Sequence, residues 1–98
     1  MTIKANENAG KLALDVIGRL DTTTAPQLEA ELAKHSDASA IEFNFAELEY
    51  ISSAGLRVLL GAQKGINAKK GTMVIKNVND TIREVFEITG FIDILTIE

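Results

Sequence analysis

The sequence predicts an α/β fold: a mixed, mostly parallel sheet of four to five strands with helices packed against it. Three observations carry this. Segments of period two alternate along the chain with segments whose apolar residues recur every three or four positions. Each helical segment supplies the crossover that parallel neighbours need. The 98 residues, 46% hydrophobic and 24% charged, have an ordinary globular composition and the length of one domain, residues 1–98.

Taken in order, residues 2–6 form a weak strand candidate, joined by the turn residues Asn8, Ala9 and Gly10 to a strand over 11–19. In that strand Leu12, Leu14 and Val16 share one face and Asp15 points to the other, so the pair reads as a hairpin. Pro26 then suits a first helical turn, and Gln27 stands three residues after Thr24 as in a capping box. The helix presents Leu28 and Leu32 on one side and ends near Ser36. Residues 40–45 alternate Ile41, Phe43 and Phe45 against Glu42 and Asn44, the period of a strand with one buried face. A loop over 46–51 leads to a helix over 54–70 with a broad stripe of Leu56, Leu59, Leu60 and Ile66, closed by Gly71 in a left-handed conformation. Residues 73–76 make a short strand. Asn79 or Asp80 caps a last helix carrying Ile82, Val85 and Phe86, and Gly90 ends it. The tail over 91–97 reads as a strand, with its first residues equally compatible with a loop on the sheet.

The net charge of −4 has the wrong sign for neutralising nucleic-acid phosphates, so nucleic acid is not an expected partner. With no cysteine there is no disulfide framework, thiolate nucleophile or thiolate metal site. His35 is the only histidine, so no metal set is expected, and it reads as a solvated residue at a helix end. Glu47 and Glu49 flank Leu48 and read as a solvated loop edge rather than an acid–base pair. The lysines and glycines of 61–71 do not fit the spacing of a nucleotide loop. No leader and no run of about 20 apolar residues is seen, which makes a cytoplasmic chain without membrane insertion the expectation.

Chemistry concentrates where Ser52 and Ser53 hand a loop over to an apolar helix. A serine there is a preferred cap, and it also stands at the positive end of a helix dipole, where free N–H groups could hold a phosphate. Spacing alone does not choose between these roles.

The run Tyr50-Ile51-Ser52-Ser53-Ala54-Gly55-Leu56-Arg57-Val58-Leu59-Leu60-Gly61 resembles the signature of STAS-domain anti-sigma-factor antagonists, in which a serine at the helix start is phosphorylated. The segment Gly18-Arg19-Leu20-Asp21-Thr22-Thr23-Thr24-Ala25 is similar to that family's G-x-L-D-x-x-T-A, and residues 41–48, 71–75 and 85–91 match its later elements in order. The resemblance implies a STAS-like fold and makes Ser53, registered on Gly55-Leu56, the phosphate acceptor, with Ser52 as the adjacent alternative. The family often has aspartate before the acceptor and a hydroxyl residue after it, where this chain has Ser52 and Ala54.

The resemblance further implies a bacterial regulator of transcription, not an enzyme, without a cofactor of its own. Unphosphorylated, it would bind an anti-sigma factor that is also a serine kinase and so free the sigma factor. The kinase would bring ATP and Mg²⁺ and end the interaction by phosphorylating Ser53, and a serine phosphatase would reverse the step. Asp21, Thr22, Ser52, Ser53, Gly55 and Arg57 are the expected partner-binding residues. Asp21 read by itself caps the turn before the first helix, and Arg57 read by itself is a solvated charge. The alternative within the family is a non-phosphorylated accessory subunit of a membrane transport or stress-signalling complex.

Overall fold

A computed structural model describes residues 1–98. Its order is β1 (Thr2–Asn8), β2 (Lys11–Leu20), α1 (Ala25–Ala33), β3 (Ala40–Asn44), β4 (Leu48–Ile51), α2 (Ser53–Ala68), β5 (Thr72–Lys76), α3 (Asp80–Thr89) and a 3₁₀ turn (Phe91–Asp93). The expected hairpin forms: Asn8 pairs with Lys11 across Ala9 and Gly10, both at positive φ, as a two-residue turn between twisted strands requires.

The sheet order is β1-β2-β3-β5, with β4 off this path and also paired to β2. Only β1 is antiparallel. The remaining pairings, β2 with β3, β2 with β4 and β3 with β5, are parallel, and α1, α2 and their flanking loops provide the crossovers. In-register rows such as Leu14–Phe43–Ile75 are fully buried and meet the apolar stripes of the helices, including Leu59, Ile66, Ile82 and Phe86.

One long strand serves two partners. Residues 11–15 of β2 pair with β3, and residues 18–20 pair with β4 after a bulge between Gly18 and Arg19. Gly18 has φ +101°, a conformation that L side chains rarely adopt, so the glycine is what lets β2 change direction and neighbour.

Five expectations from the sequence need correction. The loop over 46–51 contains β4, whose burial runs buried–exposed–exposed–buried and so carries no alternation to read. The Thr24–Gln27 capping box is absent: the Thr24 hydroxyl donates to the Arg19 carbonyl (2.7 Å) and Gln27 Nε2 donates to the Met1 carbonyl (3.4 Å). The tail is not a strand. After Gly90 (φ +81°) it makes a 3₁₀ turn and touches β5 through one bridge, Ile75 to Ile97.

Fourth, the left-handed residue after α2 is Lys70 (φ +61°), not Gly71. The N–H of Gly71 donates to the Ile66 carbonyl and that of Lys70 to the Asn67 carbonyl, both at 2.9 Å, which is a Schellman closure. Gly71 is needed for a different reason: a Cβ there would run into the Ser39 carbonyl oxygen.

His35 is likewise not a freely solvated ring. It is half-buried, with Nδ1 2.7 Å from the Glu7 carboxylate of β1 and Nε2 3.6 Å from Glu31.

Candidate functional site

The parallel pairing of β2 and β4 brings the two motif segments together. Leu20 stands opposite Ile51, and the Ser52 N–H donates to the Leu20 carbonyl (2.9 Å), so both strands end at the same rim of the sheet. Such carboxyl ends, followed by helix starts, are where α/β folds place their functional groups. Asp21 and Thr22 leave from one strand, Ser52, Ser53, Gly55 and Arg57 from the other.

Ser52 is the N-cap of α2 by position (φ −102°, ψ 177°), but its side chain caps nothing. Its hydroxyl oxygen is buried and has no hydrogen-bond partner, whereas Ser53, the first helical residue, is exposed. The helical ladder begins with the Leu56 N–H donating to the Ser52 carbonyl (3.0 Å). The N–H groups of Ser53, Ala54 and Gly55 therefore have no partner within the helix, and they give the helix start that Ser53 occupies a positive partial charge.

Gly55 is buried and sets how closely α2 approaches the strands. A Cβ on it would lie 2.7 Å from Leu20 Cγ and 2.9 Å from Ile51 Cγ1. The glycine thus fixes the height of Ser53 above the sheet.

Asp21 organises the turn into α1. Its carboxylate accepts the N–H groups of Thr23 (3.0 Å) and Thr24 (3.2 Å), its own N–H donates to Thr24 Oγ1 (2.8 Å), and the Thr24 hydroxyl, whose single proton is shared with the nearer Arg19 carbonyl (2.7 Å), lies 3.2 Å from Asp21 Oδ1. Desolvation pushes its carboxyl up, but the Thr24 and Thr23 N–H groups, the Thr24 hydroxyl and the nearby Arg19 outweigh it and hold it below the ordinary 3.8. Asp21 is therefore a firmly ionised carboxylate within a network of its own turn.

Between α1 and α2 lies an open cleft of ≈ 190 Å³, walled by Thr22, Pro26 and Glu29 on one side and Ala54, Arg57 and Val58 on the other. A second cleft of ≈ 270 Å³ continues along the same helices and shares Glu29, Arg57 and Val58. Thr22 and Arg57 are both exposed, and Arg57 is part of the wall common to both clefts.

Two residues at this rim escaped the sequence reading. The Arg19 guanidinium lies 4.3 Å from the ring centre of Tyr50, which is 40% exposed, and Arg19 Nε is 3.7 Å from Asp21 Oδ2. Arg19 and Tyr50 are cross-strand partners in the β2–β4 register. Only knowledge of that pairing would have found them.

The STAS domain family model matches residues 2–98. The chain is similar to BtrV of Bordetella bronchiseptica, a protein whose name proposes an anti-sigma factor antagonist, at 36% identity over 99% of this chain and 85% of that one. It is also similar to the anti-sigma-B factor antagonist of Listeria monocytogenes, at 31% identity over 85% of this chain and 75% of the relative. Among solved structures, the anti-sigma factor antagonist SpoIIAA in its unphosphorylated form superposes with a TM-score of 0.80 at 20% identity, covering 99% of this chain and 87% of that one. The phosphorylated form of Bacillus SpoIIAA gives 0.79 at 21% identity, covering 99% and 91%.

Proposed function

The chain belongs to the STAS domain family, and we propose that it acts as its relatives are named, as an anti-sigma-factor antagonist, with Ser53 as a phosphorylation switch. In the unphosphorylated state the rim around Ser53, with Asp21, Thr22, Gly55 and Arg57, docks on an anti-sigma factor and frees the sigma factor. The anti-sigma factor is also a serine kinase. It transfers the γ-phosphoryl group of ATP to Ser53 Oγ, the hydroxyl proton leaves, and ADP is released. ATP and Mg²⁺ belong to the kinase; this chain is not an enzyme and supplies only the acceptor hydroxyl. A serine phosphatase restores the binding form, and the cycle runs in the cytoplasm.

The observation that carries the choice of acceptor is the contrast between the two serines: the Ser53 side chain is exposed at the first position of α2, while the Ser52 hydroxyl is buried. A kinase can reach the first without opening the fold. The new phosphate carries a charge of about −1.5 to −2. At a helix N-terminus that charge suits the dipole, so phosphorylation leaves the domain folded and acts on the interface. There the group must be desolvated against the partner, and each ~1.4 kcal/mol of that penalty weakens binding about tenfold.

The test is intact-mass spectrometry after incubation with ATP, Mg²⁺ and the cognate kinase, for wild type, Ser53→Ala and Ser52→Ala. One phosphate is expected on wild type and Ser52→Ala and none on Ser53→Ala. Partner binding by Ser53→Ala should then persist in ATP while that of wild type decays. Phosphate retained by Ser53→Ala, or partner binding unchanged by phosphorylation, refutes the reading.

A further inference from the structure

We propose that Arg57 is the internal counter-ion of phosphorylated Ser53, pairing with the phosphate along one face of α2 and thereby shifting the charge of the cleft between α1 and α2. The inference rests on Ser53 being the phosphate acceptor.

Ser53 and Arg57 are the first and fifth residues of α2, and both are exposed. Positions i and i+4 lie one above the other on the same helix face. Helical side chains lean toward the N-terminus, so the Arg57 side chain has the reach to meet a group carried by Ser53 one turn earlier. An acid placed four residues before a base is the favourable order, because it also agrees with the helix dipole.

Arg57 is also uncommitted. No carboxylate lies within 4 Å of its guanidinium, whereas Arg19 at the same rim is already engaged by Asp21 and stacked on Tyr50. A planar guanidinium can meet a phosphate with two parallel hydrogen bonds, so an unpaired arginine within one turn is the group best matched to a new dianion.

The consequence reaches beyond the modified residue. Arg57 and Glu29 share the wall between the two clefts. Before phosphorylation the wall presents one cation and one anion. Once Arg57 pairs with the phosphate, Glu29 is left as the uncompensated charge there, so a partner seated in the groove meets a changed surface one turn away from the phosphate itself.

The experiment places phosphoserine at position 53 during translation, so it needs no kinase, and follows the ³¹P resonance of full-length protein through its second ionisation. Wild type, Arg57→Ala and Arg57→Lys are compared at low salt. A paired arginine favours the dianion, so the wild-type midpoint should lie about 0.2–0.4 pH unit below that of Arg57→Ala, with Arg57→Lys between them. The difference should shrink at 1 M NaCl, and the Arg57 Nε–H resonance should shift with the same midpoint as the phosphate. The helix N-terminus acts equally in all three proteins, so it cannot produce the difference. Superimposable wild-type and Arg57→Ala titrations, or an Arg57 resonance indifferent to phosphate ionisation, overturn the proposal. Absence of phosphate on Ser53 after kinase treatment would instead refute the proposed function and leave this titration to decide Arg57 on its own.

Discussion

Ser52 and Ser53 are chemically identical neighbours with opposite surroundings, and the difference comes from one peptide of chain direction. Ser52 still has the extended backbone of the strand that precedes it and is tied to Leu20 through its N–H, so its hydroxyl is turned into the fold. Ser53 has turned into the helix and faces out. Gly55 enforces this step. Because a Cβ at position 55 would sit 2.7 Å from Leu20 Cγ and 2.9 Å from Ile51 Cγ1, Gly55→Ala must lift the start of α2 or displace two core side chains. The expected cost is about 1–3 kcal/mol, the usual range for overpacking, read as a lower midpoint in urea, together with slower phosphorylation of Ser53 by the same kinase. An unchanged midpoint would mean that the helix start does not rest on this glycine. At this scale the sequence pointed to the serine pair through the motif alone. Whether each hydroxyl is exposed or buried had no periodicity to announce it.

Among the elements, those with clean periodicity were legible and those without were not. β2 and β3 alternate buried and half-buried residues, and α3 has Asn79 accepting the Ile82 N–H (2.8 Å) and a left-handed Gly90, as its sequence implies. β4 is four residues long with both central residues exposed, so nothing marks it until its partner is known. The tail alternates Ile92, Ile94 and an intervening Asp93, which imitates a strand. Its backbone instead closes helical turns, with the Leu95 N–H donating to the Phe91 carbonyl (2.9 Å), and it is Leu95 that enters the core. The end of α2 was misread for a related reason: two residues there are conformationally special, and glycine occupies the one that needs space rather than the one that needs positive φ. That arrangement predicts a stabilising change. Lys70 holds φ +61° in the Schellman closure at the steric disadvantage of a Cβ, which exceeds the extra backbone entropy a glycine would lose there, and it is exposed. Lys70→Gly should therefore raise stability by about 0.5–1 kcal/mol, seen as a higher urea midpoint with an unchanged slope, while Gly71→Ala, which meets the Ser39 carbonyl, should lower it.

Across the whole molecule, the side chains on the sheet face turned away from the main core include a charge ladder laid over three strands. Glu42 of β3 stands opposite Ala13 and Val74, which makes Lys11 and Lys76 its diagonal neighbours. Their ammonium groups lie 3.4 and 3.0 Å from Glu42 Oε1, and Lys76 also approaches Glu98 at 3.8 Å. The hydrogen bond from Lys76, opposed by desolvation and aided by Lys11, holds the Glu42 carboxyl below its ordinary 4.5, and the same contact holds the Lys76 ammonium above 10.5. Each shift fixes the sign of a stability change. A carboxyl lowered by folding contributes fully above its unfolded value and loses that contribution as pH falls through its folded value; an amine raised by folding contributes below its unfolded value and loses that contribution as pH rises through its folded one. Asp21, also lowered, adds to the acid side at the other end of β2. The domain should therefore hold a stability plateau bounded by a decline below about pH 4 and another above about pH 10.5. The groups are substantially solvated, so the effect per pair is small and weakens with salt. Glu42→Gln removes both contributions of the ladder: urea midpoints measured from pH 7 down to pH 3 should fall less steeply in the variant than in wild type, and the alkaline decline should be shallower too, because Lys76 no longer has the partner that raises its folded-state pKa. Parallel wild-type and variant curves on the acid side would show that the ladder contributes nothing to the acid sensitivity, leaving Asp21 as the other lowered carboxylate to be tested by Asp21→Asn.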